Sequence, residues 1–169
     1  MQTVELTPGV LPASAGTLLY LMRLGVRYLV RGAETGGRLA VVEHPLPPRA
    51  LGAPLHTHER EDEISYVAEG TVGVQIGDAV YTAGPGDTIR KPRGIPHAFW
   101  NAGDEPARLS EIITPAGFEG YFEEMAALFA EAHGGLPDPA RADAVLAKYA
   151  LSLDFGSVPI LAQRHGLQM

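Results

Sequence analysis

Apolar and polar residues alternate through the middle of this chain. Between residues 72 and 76, valine or isoleucine fills every second position, and this period of two predicts a strand with one buried face. Gly77 and Asp78 form a two-residue hairpin signal, so the returning strand is predicted over residues 79–82. Other β-rich stretches, separated by turn residues, predict further strands. These cover residues 18–21, 26–30, 39–42, 64–68, 88–91, 97–100 and 107–114.

Turn signals recur every eight to ten residues in this part of the chain, at residues 84–87, 92–96 and 101–105. Short strands at this spacing are typical of an antiparallel sandwich or barrel. The 20 glycines and 14 prolines among 169 residues agree, because a helix bundle would contain fewer. Four prolines between residues 45 and 54 argue against a helix and a central strand, so residues 45–55 are predicted to form a loop or a sheet edge.

The period of the pattern changes after Pro115. Five apolar residues recur with the spacing of one helical face, before two glycines that end the predicted helix. They are Tyr121, Phe122, Met125, Leu128 and Phe129. Asp138 and Pro139 then predict the start of a second helix, with aspartate as the N-cap and proline at the first helical position.

The composition narrows the class of protein. The length suits one antiparallel β domain over residues 1–116, followed by a C-terminal helical extension over residues 117–169 that packs on it. A formal net charge of −7, without a basic run, argues against nucleic acid and anionic membranes as partners. No apolar run approaches the ~20 residues of a membrane-spanning helix, no signal-peptide pattern opens the chain, and cysteine is absent. We therefore expect a cytoplasmic protein without disulfides.

Three histidines and a glutamate are the candidates for chemistry. His56 and His58 are two residues apart, so a strand would point both to one face, about 6.6 Å apart. Glu63 is an odd number of residues away, and the polar run before it lets the chain turn and bring it back to that face. His97 would come from a different hairpin. Three imidazole nitrogens and one carboxylate suit a divalent transition metal, although the first two histidines alone could be a chance pair on a loop.

The spacing around these residues resembles the two sequence motifs of the cupin superfamily. The first reads His56-x-His58-x4-Glu63-x6-Gly70. The second reads Gly86-x5-Pro92-x-Gly94-x2-His97-x3-Asn101, and fifteen residues separate the two motifs. One departure is that the family's first motif usually begins with a glycine where this chain has Ala50. That difference affects the turn into the strand and not the ligand set.

The resemblance implies an antiparallel jelly-roll β-barrel of six to eight strands with one metal ion in its mouth, the motifs lying within residues 50–101. By motif position the metal ligands would be His56, His58, Glu63 and His97, and the ion would be Fe, Mn, Ni, Cu or Zn. The chain is also similar to single-domain cupins described as quercetin-dioxygenase-like. They imply a dioxygenase acting on a small aromatic or enol-bearing substrate with dioxygen, in which Glu63 is both ligand and catalytic base.

Two other functions stay open at this point. The same scaffold could be a metal-dependent isomerase, cyclase or lyase, or it could be a non-catalytic small-molecule-binding protein that keeps the metal for structure. Apolar residues on both faces of residues 18–30 predict a homodimer. The apolar stripe of the first helix must cover something, and we expect Phe122 and Met125 near or over the metal-binding mouth. Packing on the outside of the barrel or on a partner subunit is the alternative.

Strand parity gives weaker expectations for neighbouring side chains. Phe99 shares the parity of His97 and is expected to point inward, whereas Tyr66 is expected to point outward. One of Arg90 and Lys91 must face inward in a regular strand, and the pattern does not decide between them. Glu43, His44, His133 and His165 match no ligand position and are expected to have surface or structural roles.

Overall fold

Two antiparallel β-sheets and three α-helices make up the described part of this protein. The structure, a computed structural model, describes residues 6–168. Residues 1–5 of the predicted β domain and residue 169 of the predicted C-terminal extension lie outside the described part. The strands are β1 Leu18–Leu21, β2 Leu24–Val30, β3 Ala40–Leu46, β4 Leu51–His58, β5 Asp62–Glu69, β6 Val72–Ile76, β7 Ala79–Ala83, β8 Thr88–Lys91, β9 His97–Asn101, β10 Ala107–Thr114 and β11 Leu151–Asp154. The helices are α1 Glu119–Glu131, α2 Pro139–Lys148 and α3 Ser157–His165, and a 3-10 turn covers Gly32–Thr35.

The strands form two sheets rather than a closed barrel. One sheet has six strands in the order β1-β2-β3-β10-β5-β8, and the other has five in the order β11-β4-β9-β6-β7. Val26, Val42 and Leu109 of the first sheet lie in one buried core with Val74 and Phe99 of the second. The predicted all-β antiparallel class is confirmed, and the predicted barrel is a two-sheet jelly-roll sandwich.

The alternating pattern at residues 72–76 forms the strand that it predicted. β6 and β7 pair from Val72↔Ala83 to Ile76↔Ala79, so Gly77 and Asp78 are the two loop residues of a hairpin. Gly77 has a φ of 57°, which a residue without a Cβ adopts easily. β8 and β10 have the predicted bounds.

The prediction of a loop or sheet edge at residues 45–55 is only partly correct. Residues 47–50 form a loop, but Pro45 lies within β3, a central strand of the six-stranded sheet. β4 begins at Leu51 and lies between β11 and β9. Pro54 is tolerated because the pairing with β9 shifts register between Ala53 and His56, so the ladder does not need an N–H at this position. On the other side of β4, the pairing with β11 covers only Leu55 to His58.

The C-terminal extension is not entirely helical. α1 and α2 form as predicted, and the Asp138 side chain accepts a hydrogen bond from the Arg141 backbone N–H at 3.0 Å. β11 then joins the five-stranded sheet. α3 packs on that sheet, where its Leu161 and Ala162 lie against Trp100 of β9. Four residues of Leu-Ser-Leu-Asp are too short to predict a strand. Within residues 6–168, none of the helices has the length and apolar character needed to cross a membrane.

Candidate metal centre

The four candidate ligands meet in the space between the two sheets. β4 supplies His56 and His58, and β9 supplies His97, which pairs directly opposite His56 in the ladder. Glu63 comes from β5 in the other sheet, after the chain has turned through residues 59–61. The structure therefore brings together all four residues that the motif spacing selected.

The ligand atoms of these side chains converge tightly. One atom from each residue can be chosen so that all four lie within 4.8 Å of one another. Glu63 Oε1 is 3.3 Å from His58 Nε2, and Glu63 Oε2 is 3.2 Å from His97 Nε2. The ring centroids of His56 and His97 are 4.3 Å apart. All four side chains are buried, with His56 the most exposed at 7%. This group could hold one metal ion.

The protonation of the histidines fits such an ion. His56 Nδ1 donates to the Pro54 carbonyl at 2.8 Å, and His97 Nδ1 donates to the Ile95 carbonyl at 3.1 Å. These bonds place a ring proton on Nδ1, so Nε2 is the nitrogen that faces the other ligands. Burial lowers the pKa of His58 to about 4 and that of His56 well below its usual range, so both rings stay neutral at pH 7. Metal-binding imidazoles must be neutral.

Without a cation, His58 has no partner for its ring nitrogens. His97 Nε2 lies 3.2 Å from a carboxylate oxygen of Glu63, whereas His58 Nε2 is fully buried without a hydrogen-bond partner. Buried polar atoms left unpaired are destabilising. A divalent cation between the three nitrogens and the carboxylate would give His58 Nε2 that partner. The residues therefore fit a transition metal ion in donor type, protonation and burial.

A second buried polar cluster adjoins the ligands. Lys91 Nζ donates to Glu63 Oε2 at 2.9 Å and to Glu111 Oε2 at 2.6 Å. Ser65 Oγ lies 3.1 Å from each carboxylate oxygen of Glu111 and donates to that group. Burial would raise the pKa of Glu63, but the nearby charge of Lys91 holds that pKa well below its usual range. Burial raises the pKa of Glu111 to about 7.

This cluster settles the parity question left by the sequence. Lys91 points inward and is 1% exposed, whereas Arg90 is exposed. Ser65 and Glu111 were not predicted as part of the site. A signal was present, because Ser65 shares the parity of Glu63, but Glu111 joins the cluster only through its register opposite Ser65.

An aromatic cover closes one side of the ligand group. The ring of Phe118, the residue just before α1, packs edge-on against His58 with 4.2 Å between centroids. Phe122 packs on Phe118 at 5.4 Å and on His44 at 5.6 Å. The first helix therefore lies over the metal side of the sandwich, and packing on its outside is excluded. Phe118 makes the direct contact that we expected of Phe122, and Met125 is buried in the same core.

β11 extends the wall beside the ligands. Leu153 pairs opposite His56 and Leu151 opposite His58, so these leucines share the inner face of the sheet with the two histidines. Leu151 is buried and Leu153 packs against the same core. The C-terminal segment therefore contributes to the surroundings of the site twice, through Phe118 just before α1 and through β11.

The other expectations from strand parity agree with the structure. Phe99 points into the core, 5.0 Å from Lys91 Nζ, and Tyr66 is half exposed on the outer face.

Glu43 is paired with Arg27 and Arg108, and His44 Nδ1 contacts the Gly25 carbonyl at 2.9 Å. Neither has a ligand role. His133 is exposed, and His165 stacks on Trp100 with 4.1 Å between ring centroids.

Comparison with known protein families gives one match. Residues 43–113 match the model of the cupin domain. This segment runs from β3 to β10 and contains all four candidate ligands. No curated protein sequence matches the chain at a significant level.

Solved structures share the fold. KdgF from Halomonas sp. superposes with a TM-score of 0.59 at 17% identity, over 68% of this chain and 99% of that one. The polyketide cyclase RemF from Streptomyces resistomycificus gives 0.56 at 25% identity, over 64% and 80% of the two chains. A variant of oxalate decarboxylase from B. subtilis gives 0.55 at 26% identity, over 62% of this chain and only 29% of that protein.

Proposed function

We propose that this chain, in which residues 43–113 match the cupin domain, is a member of the cupin superfamily and a metal-dependent enzyme acting on a small, enol-bearing substrate. The first candidate reaction is oxidative cleavage of an aromatic or diketone-type substrate with dioxygen, that is, a quercetinase-like dioxygenase. The metal ligands are His56, His58, Glu63 and His97. A divalent ion held there would supply Lewis-acid stabilisation of an enolate oxygen.

The observation that carries the proposal is the convergence of three buried histidine nitrogens and one carboxylate oxygen within 4.8 Å of one another. His58 Nε2 lacks a hydrogen-bond partner, and His97 Nε2 meets a Glu63 oxygen at 3.2 Å. One side of this group is apolar, with Phe118 on His58 and Leu153 beside His56. An apolar wall with a few converging polar groups suits a small, largely apolar substrate.

Glu63 is the residue that we assign to proton transfer. Its Oε2 is held by Lys91, so Oε1 is the oxygen free to face the ion or the substrate. The low pKa of Glu63 makes it a weak base. It can therefore take a proton only from a substrate whose hydroxyl or carbon acid is already acidic, as in an enol or a β-diketone. When that proton arrives, Lys91 keeps its charge through the shorter bond to Glu111.

Oxygen uptake tests the dioxygenase directly. The purified protein is stripped with a chelator, loaded in turn with Fe²⁺, Mn²⁺, Ni²⁺, Cu²⁺ or Zn²⁺, and given a flavonol or a β-diketone in an oxygen electrode. At least one redox-active ion should give uptake that His97→Asn abolishes, since the variant loses a ligand. Substrate binding without turnover under every ion would favour the non-catalytic binding protein instead.

A metal-dependent cyclase is the second candidate. It is favoured by the likeness to the polyketide cyclase RemF, at 25% identity over 64% of this chain. Such a reaction needs the same ligands and the same enolate stabilisation but no dioxygen. A cyclised product formed from a poly-β-ketone substrate under nitrogen, at the same rate as in air, would select the cyclase over the dioxygenase.

We also propose a homodimer that forms through β1. This strand lies at the edge of the six-stranded sheet, and its outward side chains Leu18 and Tyr20 are 45% and 59% exposed. Met22, just beyond the strand, is 73% exposed. Light scattering at micromolar concentration should give twice the chain mass, and Tyr20→Glu should reduce it to the monomer mass. A monomer mass for the unchanged protein would contradict the dimer.

A further inference from the structure

His58 differs from the other two histidines in what holds its ring. His56 and His97 each donate from Nδ1 to the carbonyl two residues earlier in the chain. Both ring nitrogens of His58 are fully buried, and neither has a hydrogen-bond partner. Nε2 faces Glu63 and the other ligands, so it is assigned to the metal. Nδ1 is then a buried N–H donor that needs an acceptor.

Glu61 is a buried acceptor that also lacks a hydrogen-bond partner. Its Oε2 is fully buried without a hydrogen-bond partner and lies 3.8 Å from His58 Nδ1. The arginines whose charges act on Glu61 bond elsewhere: Arg93 pairs with Asp62, and Arg60 donates to the Lys148 carbonyl. A carboxylate oxygen and an imidazole N–H therefore face each other, each without another partner.

We propose that Glu61 is a positioning residue for the metal ligand His58. When a cation occupies the site, the Glu61 carboxylate accepts the Nδ1–H of His58, and a small rotation of either side chain shortens 3.8 Å to hydrogen-bonding distance. Binding of a cation at Nε2 makes the Nδ1–H a stronger donor, and the carboxylate in turn makes Nε2 a stronger ligand. The inference rests on the proposed metal site.

The arrangement makes the three histidine ligands unequal. His56 and His97 are held by neutral backbone carbonyls, whereas His58 would be held by a charged group, and charge-assisted hydrogen bonds are roughly twice as strong as neutral ones. Glu61 also lies in the turn between β4 and β5, the turn that returns Glu63 to the site.

Zn²⁺ binding to the stripped full-length protein tests this role. Competition with a chelator gives the affinity of the unchanged protein and of Glu61→Ala, Glu61→Gln and the exposed neighbour Glu59→Gln. Glu61→Ala should weaken Zn²⁺ binding about 10- to 100-fold. Glu61→Gln keeps an acceptor without its charge and should show a smaller loss. Glu59→Gln should bind as the unchanged protein does.

A spectroscopic readout separates positioning from simple damage to the fold. In the Zn²⁺-loaded protein, ¹H–¹⁵N spectra of the histidine rings should show a slowly exchanging Nδ1–H on His58 that persists in Glu61→Gln and is lost in Glu61→Ala. If Glu61→Ala folds, binds Zn²⁺ as tightly as the unchanged protein and keeps that signal, the role of Glu61 is wrong and the metal site stands. If the unchanged protein binds no Zn²⁺, the metal site itself is wrong.

Discussion

Two buried polar clusters lie side by side between the sheets and share Glu63, and they differ in how fully they are satisfied. In the first, Lys91 lies between Glu63 and Glu111, with Ser65 donating to Glu111, so every charge meets an opposite charge. In the second, His58 Nε2 and His97 Nε2 lie 3.3 and 3.2 Å from the carboxylate oxygens of Glu63, and both ring nitrogens of His58 lack a hydrogen-bond partner. The first cluster is satisfied by protein groups alone, whereas the second leaves His58 unsatisfied and could hold a cation. The difference distinguishes a structural ion pair from a ligand set.

Removing the lysine should have the largest effect on stability. Lys91→Met leaves Glu63 and Glu111 buried without their counter-charge, and breaking a buried ion pair in this way costs about 3–5 kcal/mol. Denaturant unfolding of the metal-free protein measures the loss. The exposed neighbour Arg90→Met should change stability by no more than about 0.5 kcal/mol.

Adding metal to Lys91→Met tests further how the two buried polar clusters differ. Zn²⁺ should restore part of the stability lost in Lys91→Met, because a cation at Glu63 replaces the missing charge. The double variant Lys91→Met with Glu111→Gln should be more stable than the single one, since only one buried carboxylate then lacks a partner. A single variant as stable as the unchanged protein would show that the cluster is not a buried ion pair.

Removing a ligand should have the next largest effect, but only in the presence of metal. Zn²⁺ at a hundred times its Kd should raise the free energy of unfolding of the unchanged protein by about 2.7 kcal/mol. His97→Asn should lose this increase while it keeps most of the metal-free stability, because the asparagine amide can still donate to the Ile95 carbonyl. Thermal unfolding with and without Zn²⁺ compares the two proteins. An equal rise in both would remove His97 from the ligand set.

Acid should weaken the metal-free protein through its buried histidines. Burial lowers the pKa of His58 and of His44 to about 4, against about 6.5 in the unfolded chain. The unfolded state therefore binds more protons between these values, so stability is full above about pH 6.5 and falls as the pH drops toward 4. Each such histidine contributes up to about 1.4 kcal/mol per pH unit in this window.

Unfolding curves at pH 7, 6 and 5 measure that slope. His44→Phe should reduce the slope, because a titrating group is removed from the core, whereas the exposed His133→Asn should leave it unchanged. A slope that does not change in His44→Phe would contradict the assignment of a low pKa to that buried ring.

The predictable part of the molecule is the part whose residues lie near one another in sequence or in a regular strand. The period of two placed β6 and the parity of His56 and His58, and the motif spacing selected Glu63 and His97. Parity alone could not choose between Arg90 and Lys91, because the choice depends on the register of β8 against β5.

The remaining features depend on contacts between distant segments. β11 is four residues long and becomes a strand only because it pairs with β4, almost a hundred residues earlier in the chain. The contact of Phe118 with His58 likewise follows from where α1 packs, which its apolar stripe does not specify. For the same reason, Pro54 is accommodated in β4 by a shift in register that proline content alone cannot predict.

The most direct test of this account is the coordination of a metal ion in the unchanged protein. X-ray absorption at the zinc edge, on protein loaded with one equivalent of Zn²⁺, reports the number and type of the ligands. We predict one tightly bound ion per chain with three histidine nitrogens and one carboxylate oxygen at about 2.0–2.2 Å, and one nitrogen fewer in His97→Asn. A protein that binds no ion, or binds one with the same ligands after His97→Asn, would contradict it.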